Sequence, residues 1–205
     1  MLFRSVTCDK VFVPSHRVAS MHVANPAHEF PGLREHTNSM YKVPTPALGG
    51  HCIAGVMTGN AQAALDIATE TVKQRSTNYT GAKMRDFQNV QLRIGTAGAK
   101  IDAVRAWMRN DCIEAHNVYR NGGKLNLEAK LRYKRNCAMA MRLLTEAVDT
   151  LYEMMGAGGI YDHNAMQRIY RDQHAALGHF SFSCDAQLAP WAQVSLGGEY
   201  KSPTL

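Results

Sequence analysis

Residues 84–119 read MRDFQNVQLRIGTAGAKIDAVRAWMRNDCIEAHNVY, and within them Val90, Ile94, Ala97, Ile101, Val104 and Met108 recur at alternating steps of four and three. Such a stripe keeps one helix face apolar over many turns, the pattern of long helices packed in a bundle. Asn121-Gly122-Gly123 stops it. The same period extends outward on both sides. Ile53, Met57, Ala61, Ala64, Leu65, Ala68 and Val72 mark an earlier helix from about Ala47 to Arg75, and the polar stretch 76–81 is a loop. Downstream, Leu127, Leu131, Ala138, Met141, Leu144, Val148, Leu151 and Met155 form the seam of a helix from about Asn126 to Met155. It ends in the glycine-rich turn 156–159. A shorter helix begins near Asp162 or Asn164, either of which can cap it, and runs to about His179; a last short one covers about 185–194. Three long helices and one shorter one, joined by short connections, predict a mainly α, up-down four-helix bundle over 46–205.

The first 45 residues differ in character. VTCDKVFVPSHRV at 6–18 is rich in β-branched residues and broken at Pro14, which predicts a short strand and a turn. Pro26, Pro31 and Pro44 then make a long loop of 19–45. Residues 1–45 therefore read as the remnant of a β-domain with its linker. Met1–Ser5 precede the strand with no natural lead-in, so a truncated or artificial start is expected.

The chain has 205 residues, 45% of them apolar and 20% charged, as in a soluble globular protein. No apolar run approaches the ~20 residues that span a bilayer, so no membrane partner is expected. The net charge of +6 is spread along helices among acids, which suits solvated faces and a phosphate-bearing cofactor rather than nucleic acid. Five cysteines, odd in number, scattered and without a CxxC, speak against a disulfide framework or a zinc site and for a reducing cytoplasm. HExxH, P-loop and GxSxG motifs are absent, the nine histidines lack ligand spacing, and no metal is expected. His16, His22, His28 and His36 read as surface residues of the strand end and loop.

Three places carry chemistry. Arg75 closes the first long helix, where its charge suits the helix dipole and an anion alike. Gly156, Ala157 and Gly158 lead toward a helix N-terminus, where backbone N–H groups can approach an anion. His179 follows Gly178 and precedes FSFS, and an imidazole is suited to proton transfer near neutral pH.

Taken in order, residues 6–18, LDIATETVKQRSTNYTGAKMRDFQNVQLRI at 65–94 and EMMGAGGIYDHNAMQRIYRD at 153–172 resemble the acyl-CoA dehydrogenase superfamily. They are similar to its last middle-domain strand, its helix-arginine-loop-FQ-helix pattern, and its glycine loop with a helix ending in Arg-Asp. The resemblance implies a flavin in a homotetramer. In the family, residues matching Arg75 and Gln88 contact the cofactor of a neighbouring subunit, and the turn matching 156–158 approaches its phosphates. Tyr79 falls in the intervening cofactor loop, where the family's phenylalanine-glycine is stretched to Asn78-Tyr79-Thr80-Gly81. Glu153 stands where a glutamine often precedes the glycine turn.

A dehydrogenase of this family needs a carboxylate base, commonly eight or nine residues after the Arg-Asp pair. Here that window holds His179 and Phe180, and the alternative location at Leu48-Gly49-Gly50-His51 also lacks an acid. A histidine there resembles the reduced-flavin-dependent two-component monooxygenases, the branch of 4-hydroxyphenylacetate 3-hydroxylase oxygenases. This implies an oxygenase component that hydroxylates a small aromatic substrate with dioxygen and reduced FMN or FAD from a flavin reductase. His179 would act as base on a phenol, with His174 and His51 as second choices. Two readings stand beside it: an acyl-CoA dehydrogenase-like enzyme acting on CH–CH groups through a displaced base, and a truncated, non-catalytic assembly module.

Overall fold

The computed structural model describes residues 7–18 and 35–202. Five α-helices are described. Helix α1, Thr45–Gln74, opens with Pro44 at its N-cap and Pro46 in its first turn, where a missing N–H leaves no bond unmade. Helix α2, Gln88–Arg120, follows a 3-10 turn at Met84–Asp86. Helix α3, Leu127–Glu153, is capped by Asn126, whose Oδ1 accepts from the Ala129 N–H at 2.8 Å. Of the two candidate caps of α4, Ala165–Ala176, Asn164 is the one used. Helix α5, Cys184–Ser195, is capped by Ser183.

Cross-helix pairs give the directions. His51 meets Asp111 and Thr58 meets Met108, so numbers fall on α2 as they rise on α1. Lys100 meets Glu146 and Arg132 meets Glu114, so α3 runs against α2. Gln173 reaches Thr145, Cys184 reaches Ala138 and Trp191 reaches Glu128, so α4 and α5 form one broken column descending along α3. The bundle is thus up-down, its fourth member interrupted by a turn at 177–183. That turn is why α4 stops at Ala176, short of His179.

Helix α3 is the centre and packs against all four others. Its buried residues run well round the helix: Ala138, Ala140, Met141, Leu144, Ala147, Val148 and Leu151 are each fully buried. Leu127, expected in the seam, lies in the first turn and is 37% exposed. Lines of alanine on α1 (Ala54, Ala61, Ala64, Ala68) and on α3 share one core cluster, which lets the backbones approach closely. Each fully buried leucine adds about 1.5–3 kcal/mol.

The expected strand at 6–18 does not form within the described residues. Residues 7–18 are irregular with a 3-10 turn at Ser15–Arg17, and Val11, Phe12 and Val13 are exposed. A β-branched run becomes a strand by exchanging hydrogen bonds with a neighbour, and no neighbouring strand is described. Met1–Ser5, Val6 and residues 19–34, with His22, His28, Pro26 and Pro31, lie outside the described residues.

Candidate functional site

One end of the bundle gathers the expected cofactor-binding residues. Helix α1 gives way to extended backbone at Arg75, and the loop folds back on itself through Thr77 N–H to Ala82 O (2.9 Å) and Met84 N–H to Arg75 O (3.0 Å). The Met84–Asp86 turn packs on both helices, so Gln88, the first residue of α2, begins beside the end of α1. The last turn of α3 arrives at the same end: Arg75 Nη1 donates to the carbonyls of Met155 (3.1 Å) and Met154 (3.5 Å). A cation on these carbonyls favours the helix dipole. Gly156 follows at φ +59°, and a Cβ there would lie 3.6 Å from Arg75 Nη2. Arg75 is exposed, and so are Ala157 and Gln88; Gly158 has open space around its Cα, and Tyr79 is fully exposed at the loop tip. Glu153 is paired with Arg93 at 3.3 Å, so its acid is matched by a cation. An arginine anchored by one nitrogen and reaching solvent with the rest, against a glycine turn with no side chain in the way, fits a phosphate group.

The histidines divide. His174 on α4 holds Asp149 at 2.7 Å, half exposed, with its ring 4.4 Å from that of Tyr170. His179 lies beyond α4 and caps the 3-10 turn Phe180–Phe182: its Nδ1 accepts from the Ser181 N–H at 3.2 Å. With Nδ1 accepting, the neutral ring carries its proton on Nε2 and is oriented as a donor. The turn is pressed onto the start of α1, where a Cβ on Gly50 would meet Ser181 Cβ at 3.1 Å and Cys137 Sγ at 2.8 Å. His179 therefore shares an end with His51.

His51 is 6% exposed and its Nε2 lies 3.0 Å from Asp111 Oδ2, itself in a residue only 1% exposed. Asn136 Nδ2 donates to both carboxylate oxygens of Asp111 (3.1 and 3.2 Å), and Arg132 lies 3.9 Å away, shared with Glu114. Asp111, Asn136, Arg132, Trp107, Arg135 and Leu188 line an open cleft of about 390 Å³. Burial, and the Glu114 carboxylate after it, push the neighbouring Tyr133 phenol up. Burial pushes the Cys137 thiol up to about 12 and, with Asp111, raises Cys112. Reading the sequence missed Asp111 and Asn136, though Asp111 continues the α2 stripe three residues after Met108, where an apolar residue is due. No group of three or more metal-ligating side chains occurs among the described residues. No helix among them is long and apolar enough to cross a membrane.

Arg75 and His51 sit 24 residues apart on one continuous helix, about 36 Å at 1.5 Å per residue. The chain folds its phosphate-fitting corner and its buried histidine pair at opposite ends.

The family profile described as acyl-CoA dehydrogenase, C-terminal domain, matches residues 51–184, and the chain belongs to that family. Among individual proteins, it is similar to the flavin-dependent monooxygenase, oxygenase subunit HsaA, of Rhodococcus jostii (strain RHA1). The two are 28% identical over 176 residues, covering 85% of this chain and 46% of that protein. It is also 27% identical over 206 residues to the FADH(2)-dependent resorcinol hydroxylase, oxygenase component, of Rhizobium sp. (strain MTP-10005), covering 97% of this chain and 50% of the relative. The crystal structure of 3-HSA hydroxylase from Rhodococcus sp. RHA1 superimposes with a TM-score of 0.86 at 25% identity, covering 96% of this chain and 51% of that one. The chain spans about half the length of the relatives it matches.

Proposed function

We propose that this chain is the helical C-terminal part of an oxygenase component that hydroxylates a small aromatic substrate with dioxygen. Reduced flavin, FMN or FAD, comes from a partner flavin reductase. The observation that carries the reading is His179: an imidazole stands on the turn against α1 in the window where a dehydrogenase of the family has its acid. The one carboxylate the structure places in contact with His51, Asp111, is buried and committed to His51 and Asn136, which disfavours acid–base work on an acyl thioester. The relatives named above, oxygenase components of flavin-dependent monooxygenases, support the same choice.

Arg75 and the turn at Gly156–Gly158 would hold the flavin's phosphates, with Gln88 and Tyr79 flanking them. Bound reduced flavin supplies the activation of dioxygen for transfer of one oxygen atom. His179, its proton on Nε2, donates a hydrogen bond toward the substrate's phenolic oxygen and steadies negative charge there. His174, paired with Asp149, stays a second choice for this work. Because the phosphate corner lies about 36 Å along α1 from His51 and from the His179 turn packed beside Gly50, two copies would complete each centre, in keeping with a homotetramer. Five free thiols suit a cytoplasmic protein. Residues 1–45 are assigned to the edge of a β-domain and its linker, and 46–205 to the bundle.

His179→Asn tests the assignment. Asparagine can still cap the 180–182 turn, so folding and flavin binding are retained. Hydroxylation with the reductase present should fall about a hundredfold or more, the usual cost of losing one preorganised donor to a developing negative charge. Unchanged hydroxylation in that variant, or bleaching of the flavin by acyl-CoA alone, would refute the oxygenase reading.

A further inference from the structure

The buried network around Asp111 has a single hydrogen-bond polarity, and it starts from a group that can only donate. Arg135, whose guanidinium stacks 3.9 Å over the Trp191 ring, donates through Nε (3.2 Å) and Nη2 (2.9 Å) to Asn136 Oδ1. This fixes the amide of Asn136, so its Nδ2 points to Asp111 and donates to both carboxylate oxygens. A carboxylate only accepts, so the short contact of Asp111 Oδ2 with His51 requires an N–H on Nε2. The neutral ring of His51 is thereby left with its lone pair on Nδ1. That atom is buried and has no hydrogen-bond partner among the described residues. The His51 and Tyr133 rings meet edge to face, 6.4 Å between centroids. A buried lone pair left unpaired is a standing cost to the fold, so the arrangement fits a partner that is itself an O–H group. A hydroxyl group supplies the donor that the His51 Nδ1 lone pair lacks.

We propose that His51 is the proton acceptor for a substrate hydroxyl and that Asp111 is the residue that positions it. This rests on the oxygenase reading above and divides the work between two histidines: His179 is oriented to donate, His51 to accept. In the step assigned to it, the phenolic O–H bond breaks, its electron pair stays on oxygen, and the proton moves to His51 Nδ1. The resulting imidazolium is held by the Asp111 carboxylate. Asp111→Asn reverses the polarity at constant shape. Because Arg135 keeps Asn136 pointing at position 111 with its N–H groups, the new amide must turn its oxygen to Asn136 and its NH2 to His51. His51 then has to accept at Nε2 and carry its proton on Nδ1.

The test is ¹⁵N NMR of ring-labelled histidine in the full chain at about pH 8.5, above the ordinary histidine range near ~6.5. His51 is assigned by the signals lost in His51→Gln. The expected wild-type ring has a protonated Nε2 and a lone-pair Nδ1, and Asp111→Asn exchanges the two. Phenol added to the wild type should shift the Nδ1 resonance, and toluene should not. In the assembled oxygenase, His51→Gln should lower kcat about a hundredfold or more. A wild-type ring protonated on Nδ1, or a folded Asp111→Asn with an unchanged tautomer, overturns the positioning role. Equal responses to phenol and toluene overturn the substrate role and leave only an internal water for Nδ1. The wild-type spectrum alone decides the first point if Asp111→Asn fails to fold. The tautomer needs no flavin, so a failure of the oxygenase reading itself, no hydroxylation with flavin and reductase, is separately visible.

Discussion

Asp111 is the side chain on which most depends. It occupies a position that the α2 stripe assigns to an apolar residue, is 1% exposed, and holds His51 and Asn136 together. Asp111→Ala removes one partner of a buried pair and leaves two donors unsatisfied. The expected loss is about 1–3 kcal/mol of folding stability for each, read as a lowered urea midpoint at unchanged slope. A carboxylate breaking an otherwise regular apolar period was visible in the sequence, but its partners were not. His51 lies 60 positions away and Asn136 lies 25 positions away, and only the antiparallel register of three helices brings them to one level. Arg75 and Gly156 were legible because each belongs to a local pattern. Their contact, across 80 positions to the Met155 carbonyl, was not.

The long helices follow from the sequence because their apolar period and their stop signals are local. Asn126 is a clear example, with its Oδ1 on the Ala129 N–H. Asn126→Ala should weaken the start of α3, the helix every other one packs on, by about 1 kcal/mol and lower Tm by a few degrees. Calorimetry checks it; an unchanged Tm would mean that tertiary packing alone holds that terminus. The segment 6–18 went the other way, since a strand is a property of a pair and composition supplies only one member. Helix α4 was read too long because its apolar residues run on into the 177–183 turn, and only the packing of Ser181 on Gly50 shows why the helix must break before His179. Gly156 marks the opposite terminus of α3: at φ +59° it keeps the chain turning against Arg75, a conformation that costs other residues about 1–2 kcal/mol.

At the scale of the molecule, the packing of α3 makes the fold sensitive to alkali. The Cys137 thiol ionises near 9.0 in an open chain and near about 12 when buried. Between those values the folded state binds the extra proton, so stability falls as pH rises, by up to about 1.4 kcal/mol per pH unit for that group. Tyr133 and Cys112, also pushed up by burial, act in the same direction. Lys134, pushed down by burial and by Lys130, opposes them with a single group. Urea titrations at stepped pH should show a midpoint that declines above about pH 9, and Cys137→Ala should flatten the decline.

The distance along α1 has a genetic corollary. If each centre draws its arginine from one polypeptide and its histidine from another, two inactive variants can rescue each other. Arg75→Ala and His179→Asn, each silent when expressed alone, should regain activity when co-expressed. Random mixing leaves about one quarter of the centres with both native contributions. A doubly substituted chain mixed with either single variant should recover nothing, and neither should the two singles if every centre is built within one polypeptide.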